Sequence, residues 1–392
     1  MKPISRRTKL LALALFLANV ALGGWYWRFH HIPEYTPKQM DTFSTHMRTH
    51  CVGRYLIDLP EDMGSPRLAY STFYFGLDAD FESVEVQMPE RELIDHDRFS
   101  VLVTQRRNEL RDATNDDMKI SMLLKQEIVA TENGDALLLR YLEDRNYRSS
   151  GIQSELHVFV KGRYLVLQAN SYVNYDKLPG GRSNTSSDYY KFTDPEPAEA
   201  HLKKMGRALE HVAEADRAGP GFCIGNVLFP QPAIGYDEEK ATFTFGKNVG
   251  ESASLRLTVS MKGKYGYPKR PLFERMDTAA SLPDADDADD FQFREVFRRR
   301  ITRDGVSFQE GAAQGYWRRD RESQFNFQLQ NTRPEDESML SFERPAILLE
   351  MEAGSFGARH SPSPYRQDDL QRAWNQWVGS LRLSPGNGGA RR

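Results

Sequence analysis

The chain has 392 residues, 39% of them hydrophobic and 27% charged, a composition that excludes a disordered or fibrous protein and a length that favours two domains. Its 52 basic and 55 acidic residues give a net charge of -3, without the cationic surplus of nucleic-acid-binding proteins, so we expect no nucleic-acid partner. The two cysteines, Cys51 and Cys223, are too few for a cysteine zinc site and allow one internal disulfide.

Residues 1–31 have the pattern of a targeting segment. A basic start precedes an apolar run from Leu10 to Leu22, as in export signals and membrane anchors. Because the basic end stays in the cytoplasm, the rest of the chain is predicted to reach the periplasm. Two fates remain open: cleavage as a signal peptide, or retention as an inner-membrane anchor, since a helix from Leu10 to Trp27 would span about 27 Å. Residues 32–41 are interpreted as a spacer.

In the first half, hydrophobic periodicity predicts a strand, a helix, two hairpins and a closing helix. The strand covers 81–86 and the first helix covers roughly 91–110. Asn133-Gly134 predicts a hairpin turn, because Asn and Gly tolerate the positive φ that both turn positions need, and Lys161-Gly162 is expected to form a second turn. Pro195 is expected to begin the closing helix, whose apolar residues recur at helical spacing.

The second half repeats this order. Strands are predicted at 241–245 and 255–261, a helix near 271–280, then hairpins with a strand at 346–351, and a final helix that carries Trp374 and Trp377 on one face. Each half is therefore predicted to be an antiparallel sheet with two helices packed on one face. The fold class is α+β, with two similar domains in tandem.

A short internal repeat supports this division. The sequence Cys-Val-Gly-Arg-Tyr-Leu starting at Cys51 recurs in pattern as Cys-Ile-Gly-Asn-Val-Leu starting at Cys223. We therefore predict two domains of one design, 42–218 and 219–386, followed by a tail at 387–392. The glycines and proline at the boundary cannot continue the preceding helix.

Two interpretations of the paired cysteines stay open. Export would place both thiols in an oxidising compartment, where Cys51 and Cys223 can bond across the two halves. Equally, both fit small buried residues at the start of equivalent strands.

Motifs of common catalytic sites are absent from the sequence. It contains no Gly-x-Ser-x-Gly, no His-Glu-x-x-His, no P-loop and no dinucleotide fingerprint, so we expect neither an enzyme nor a cofactor. His46 and His50 have the spacing of metal ligands on a helix, but a third ligand is missing from the nearby sequence. We interpret them as a solvated pair and expect no metal site.

Two polar segments are the candidates for partner binding. The first is an acidic run made of Asp284, Asp286, Asp287, Asp289 and Asp290. It lacks the glycine and the fifth ligand of a calcium loop, which favours a solvated loop or an acidic recognition surface. The second is a long polar loop with Arg182, Tyr189 and Tyr190. Five arginines between 294 and 303 follow the acidic run and are interpreted as the solvent face of a strand.

The two repeat openings, Cys51 to Pro60 and Phe222 to Asn226, resemble the two-domain immunity proteins of type VI secretion systems. The resemblance covers residues 42 to 385 and is to the Tli group, paired with the fourth class of phospholipase effectors. It implies a periplasmic protein that binds a cognate lipase toxin and occludes its active site. A non-catalytic envelope assembly protein is the alternative, and an envelope hydrolase is the less favoured one.

Overall fold

The computed structural model describes fourteen stretches of the chain between residues 46 and 384. They are residues 46–76, 82–116, 118–145, 151–172, 194–215, 219–249, 253–262, 270–281, 291–303, 306–317, 322–331, 346–354, 362–363 and 365–384. The predicted targeting segment lies outside these stretches. Within them, none of the helices has the length and apolar character needed to cross a membrane.

The first half contains nine described strands and two helices. The strands are β1 (Met47–Gly53), β2 (Tyr55–Pro60), β3 (Arg67–Phe75), β4 (Glu82–Gln87), β5 (Leu123–Thr131), β6 (Gly134–Leu142), β7 (Gly151–Val160), β8 (Arg163–Tyr172) and β9 (Glu210–His211). The helices are α1 (His96–Asp112) and α2 (Pro195–Ala208). Helix α1 begins later than predicted because Asp95 caps it, its carboxylate accepting from the Arg98 amide at 2.7 Å.

The second half supplies nine further described strands and three helices. The strands are β10 (Phe222–Ile224), β11 (Val227–Phe229), β12 (Glu238–Val249), β13 (Ala253–Lys262), β14 (Phe291–Arg303), β15 (Val306–Trp317), β16 (Glu322–Asn331), β17 (Ala346–Ala353) and β18 (Arg382–Leu383). The helices are α3 (Gln231–Ile234), α4 (Leu272–Ser281) and α5 (Gln367–Ser380).

The described strands form two antiparallel sheets that both cross from one half to the other. The large sheet has the order β14-β15-β16-β17-β13-β12-β3-β4-β8-β7-β6-β5 and the small sheet the order β18-β2-β1-β10-β11-β9. Outwards from the β3–β12 pair, the two halves follow the same order of elements. The predicted tandem repeat of an antiparallel α+β unit is therefore confirmed.

The halves also exchange their last strands, which sequence analysis did not predict. Strand β9 of the first half pairs with β11 of the second, and β18 of the second pairs with β2 of the first. Arg382 of β18 forms an ion pair with Asp58 of β2 at 3.1 Å, and the Asp58 amide donates to Ser380 at 2.9 Å. Each half thus needs the other to complete the small sheet.

The prediction that both helices of a half lie on one face is wrong. On β7, Leu156 lies against Gly206 of α2, whereas Phe159 packs with Phe99 of α1. Side chains an odd number of positions apart on a strand point to opposite faces, so the helices cover opposite faces. On β15, likewise, Glu310 contacts α5, whereas the next residue, Gly311, lies against α4. A helical stripe predicts that a helix is packed, but not on which face.

The main core lies on one face of the large sheet, called here the inner face. Helix α2, the small sheet and α5 cover it, while the outer face carries α1 and α4. Phe73 of β3 stacks on Phe229 at 5.0 Å and meets Phe222 edge-on at 5.3 Å between ring centroids. Burying each such side chain stabilises the fold by roughly 1.5–3 kcal/mol, which holds the two sheets together.

Tight turns explain the repeated Cys-x-Gly sequence. Gly53 has φ 65° between β1 and β2, and a Cβ at this position would clash with Met261. Gly225 and Asn226 have φ 54° and 72° between β10 and β11, as both central residues of a type I′ hairpin require. The two predicted hairpins are confirmed as β5–β6 and β7–β8. The β7–β8 turn lies at 161–162 as predicted, whereas the β5–β6 turn lies one residue earlier, at 132–133, because Gly134 already pairs with Thr131.

A disulfide joins the halves at the start of the repeat. Cys51 and Cys223 are bonded, with their Cα atoms 5.8 Å apart. The bond lies beside the pairing of β1 with β10, in a small buried cluster with Leu56, Val212 and Leu228. The structure therefore contains the cross-half bridge, and both cysteines are also buried.

A buried ion pair lies under the same junction. Arg54, in the β1–β2 turn, donates from Nη2 to Oε2 of Glu239 at 2.8 Å and to the Tyr236 hydroxyl at 3.2 Å. Burial raises the pKa of Glu239, while its hydrogen bonds with Arg54 oppose that rise. Removing either charge would leave the other buried without its partner, which costs about 3–5 kcal/mol.

The interpretation of His46 and His50 as a solvated pair is wrong for His50. His46 is exposed, but His50 lies in β1, is buried, and packs edge-on against Phe245 at 5.1 Å. Four residues along a strand span about 13 Å, so the two rings cannot share a metal ion. Burial, with Arg48 nearby, lowers the pKa of His50 from 6.5 to about 4.

The double variant Cys51→Ser with Cys223→Ser tests the bridge. The bond closes a loop with a sequence separation of 172, so its loss is expected to lower the unfolding free energy by about 2–5 kcal/mol. Urea unfolding with and without dithiothreitol measures this. Reductant should destabilise the wild type and leave the variant unchanged; equal stability of the two oxidised proteins would contradict the prediction.

The variant His50→Gln tests the buried imidazole. The unfolded chain binds a proton at His50 near pH 6.5 and the folded chain only near pH 4, so stability contributed by this group falls as the pH drops through that window. The loss is on the order of 3 kcal/mol. Urea unfolding between pH 7 and 4 should give a flatter pH profile for His50→Gln. Gln105→Ala, at an exposed position of α1 without a titratable side chain, should keep the wild-type profile; identical slopes in all three proteins would contradict the assignment.

Candidate partner-binding surface

The residues predicted to bind a partner lie outside the described stretches. The five aspartates from Asp284 to Asp290 fall in the segment between α4 and β14. Arg182, Tyr189 and Tyr190 fall in the segment between β8 and α2. Both assignments stay predictions. The described residues that could bind a partner lie instead on the large sheet.

Strand β14 is an edge strand of the large sheet, and some of its arginines contact the helices beside it. Arg299 pairs with Glu310 at 2.8 Å and donates to Asn375 of α5 at 2.6 Å. Arg298 pairs with Asp277 of α4 at 2.9 Å, and Arg303 donates to the Val378 carbonyl. These contacts tie α4 and α5 to the edge strand. A charged edge also discourages pairing with another chain.

The outer face of the large sheet is polar across its middle strands. Helix α1 packs over β5 to β8 and α4 over β14 to β16. Between them lie β4, β3, β12, β13 and β17, which together are about 20–25 Å wide. Their polar outward side chains, called here the central polar face, include Tyr70, Thr72, Tyr74, Glu85, Gln87, Lys240, Thr242, Thr244, Arg256, Thr258, Ser260, Glu350 and Glu352. Of these, Thr72 and Ser260 are buried, and the apolar Leu348 of β17 faces outwards opposite Ser260.

Neighbouring side chains order this face. Lys240 lies 5.0 Å from the Tyr74 ring centroid, and the hydroxyls of Thr242 and Ser260 are 3.0 Å apart. Tyr70 stands 40% exposed near the middle of the sheet. An exposed aromatic side chain among hydroxyls and charges of both signs is typical of surfaces that bind other proteins.

The sequence contains a signal for this face, but not enough to predict it. Polar residues alternate with core residues on β12 and β13, as at Thr242, Thr244 and Thr258. Alternation predicts that each strand has one polar face, but it does not predict which strands are neighbours. Only the order of the sheet brings these residues onto one surface.

An ion-pair network fixes α1 against the outer face. Arg106 donates to both Glu155 oxygens at 3.1 and 3.0 Å and to the Tyr141 hydroxyl at 2.9 Å. Burial opposes the charge on Glu155, yet donors on His157, Arg106 and Tyr141 lower the pKa of Glu155 to about 2. The carboxylate therefore stays ionised and holds the helix in place at neutral pH.

A cavity of about 320 Å³ lies between α4 and the outer face. It is lined by Leu272, Arg275, Met276, Phe293, Gly311, Ala313, Asn326, Gln328 and Glu352. Glu352 also belongs to the central polar face, so the cavity adjoins that surface. In the described stretches, no three His, Cys, Asp or Glu side chains come together to hold a metal ion.

Sequence comparison relates both halves to one family. The profile of the Tle cognate immunity protein 4 N-terminal domain matches residues 48–207, and that of the C-terminal domain matches residues 218–386. No curated protein matches the sequence.

Three solved structures have a similar fold. The apo structure of the T6SS immunity protein TplEi from Pseudomonas aeruginosa matches with a TM-score of 0.56 and 16% identity, over 87% of this chain and 98% of that one. A chain of the Tle4-Tli4 complex matches with a TM-score of 0.56 and 16% identity, over 88% and 99% of the two chains. TplEi with "L" peptide gives a TM-score of 0.52 and 16% identity, over 87% and 99%. At this identity the likeness establishes the fold alone.

The variant Arg106→Ala tests the network under α1. It leaves the buried Glu155 carboxylate without its main cation, so we expect a loss of about 2–3 kcal/mol in unfolding free energy, less than for a fully buried pair because Arg106 is partly exposed. Urea unfolding at pH 7 measures the loss. The control Gln105→Ala, at the neighbouring exposed position of α1, should change stability by less than about 0.5 kcal/mol. Equal effects of the two substitutions would contradict the role of Arg106.

Proposed function

Because the chain belongs to the Tle cognate immunity protein 4 family, we propose that it is an immunity protein that binds and inhibits a cognate type VI secretion phospholipase. The observation that carries the proposal is the match of both family domains in order, at 48–207 and 218–386. We propose 42–218 and 219–386 as the two immunity domains. The protein acts without catalysis of its own.

Inhibition follows from binding that covers the active site of the effector. A rigid sheet presents the central polar face without the entropy cost of ordering a loop, which favours tight binding. A standard protein interface buries about 800 Å² on each partner. We therefore propose that adjoining surfaces contribute to the interface in addition to the central polar face. The two candidate segments, at 180–190 and 284–290, are proposed to supply further contacts with the effector. Slow dissociation then keeps the effector inactive.

Immunity of this kind acts in the periplasm. The basic and apolar pattern of residues 1–31 supports export. The buried bridge between Cys51 and Cys223 fits an oxidising compartment, where structural disulfides persist. The mature protein is then either soluble after cleavage or attached to the inner membrane by its N-terminal segment.

Co-expression tests the proposal. Residues 32–392 carrying a periplasmic signal are expressed with the lipase-like protein encoded beside the gene, and survival and co-purification are measured. We expect survival and a stable complex. Absence of both, with the protein shown to be folded and exported, would overturn the immunity function and favour a role in envelope assembly.

A pair of surface variants tests the central polar face in the same assay. Tyr70→Ala with Glu85→Lys is expected to weaken effector binding at least tenfold while leaving the unfolding free energy within about 0.5 kcal/mol of the wild type. The matched control, Ile128→Ala with Glu210→Lys, changes exposed residues elsewhere and should bind normally. Titration calorimetry gives both dissociation constants. Normal binding by the first variant would exclude this face as the binding site.

A further inference from the structure

Equivalent outer faces of the two halves are packed differently. Under α1, β6 directs Leu137, Leu139 and Tyr141 outwards, and these fill the space below a helix of 17 residues. In the repeat, β15 takes the place of β6 and α4 that of α1. Strand β15 directs Gln309, Gly311 and Ala313 outwards, and α4 has only 10 residues.

The cavity below α4 is a consequence of this difference. Two small residues, Gly311 and Ala313, form its floor where the first half has bulky side chains. A Cβ at Gly311 would meet the flexible end of the Met276 side chain of α4, which lies directly over this position. The volume of about 320 Å³ is at the lower end for small-molecule pockets, a size suited to one large side chain.

The chemistry of the cavity narrows what it can accept. Leu272, Met276 and Phe293 form apolar walls. At the rim, the amide nitrogens of Asn326 and Gln328 both donate to Oε1 of Glu350 at 2.9 Å. This orientation leaves the carbonyl oxygens of both amides as hydrogen-bond acceptors.

The charges at this rim balance. Glu352 is paired with Arg256, and Arg275 of α4 donates to Gln330 at 2.7 Å. With Glu350, two carboxylates thus stand beside two guanidinium groups. A neutral occupant with an apolar body and a hydrogen-bond donor matches this set better than an ion does, because a buried ion would lack a counter-charge.

We propose that this cavity accepts an aromatic side chain with an N–H or O–H donor, a tryptophan or tyrosine, from the effector. The proposal rests on the immunity function proposed above. Such side chains combine a large apolar area with one polar group and are enriched at the centres of protein interfaces. Glu352 lines the cavity and belongs to the central polar face, so the anchor and the face adjoin each other.

Filling the cavity tests the proposal. Ala313→Leu places a larger side chain in the space that the anchor would occupy, and we expect the effector to bind at least tenfold more weakly by titration calorimetry. Ala130→Leu, at an exposed position of β5, is the matched control and should bind as the wild type does. Thermal unfolding should show that both variants are folded.

A second variant tests the same proposal if Ala313→Leu does not fold. Gln328→Met keeps the volume of the side chain but removes its carbonyl acceptor, and it should weaken binding several-fold. N-acetyl-L-tryptophanamide, titrated into the wild type and followed by NMR, should shift resonances of Met276 and Ala313.

The outcomes separate this proposal from the immunity function. Wild-type affinity in a folded Ala313→Leu protein, or in Gln328→Met where Ala313→Leu does not fold, would overturn the anchor site and leave the immunity function intact. A wild type that does not bind the effector would overturn the immunity function and the anchor with it. If the wild type and the control bind the effector and only the cavity variants bind it more weakly, both the immunity function and the anchor site are supported.

Discussion

The antiparallel pairing of β3 with β12 is the contact on which the rest of the structure depends. It makes one sheet from two sequence halves, and Glu239 stands on this seam opposite Phe73. Its carboxylate lies in the core and is paired with the Arg54 guanidinium from the other half. Separating the halves would therefore leave both charges without their ion-pair partner. The disulfide and the exchanged strands β9 and β18 reinforce the same junction. The two repeats therefore fold as one body.

This junction also decides which surface is left for a partner. The small sheet, α2 and α5 occupy the inner face, where the apolar side chains of both halves meet. Across the outer face, α1 and α4 pack only over the outer strands, because each helix belongs to the far side of its own half. The middle strands come from both halves and present hydroxyl, amide and charged side chains. The central polar face is thus a property of the joined repeat, and neither half alone contains it.

Local features of the fold could be predicted from sequence because local physics determines them. Gly162 has the positive φ that the turn predicted at 161–162 needs, and the stripe containing Trp374 marks a helix packed on the core. The strand order, the opposite faces of α1 and α2, and the exchange of β18 could not be predicted, because they depend on contacts between residues far apart in the chain. The central polar face depends on the strand order of the large sheet and on where its helices pack, so it could not be predicted from the sequence, and the candidate residues at 182–190 and 284–290 stay separate predictions.

Differences in side chains between the two repeats affect how a partner protein can bind. A surface with two-fold symmetry would allow the same partner to bind in two equivalent orientations. A partner without that symmetry needs a surface whose two ends differ. Side-chain size at equivalent positions is a simple way to distinguish the two ends: Leu139 and Tyr141 of β6 fill the space under α1, while Gly311 and Ala313 of β15 leave a cavity under α4. The backbone repeat is retained, so the rigidity of the joined sheet is kept. The cavity under α4 therefore distinguishes one end of the large sheet from the other.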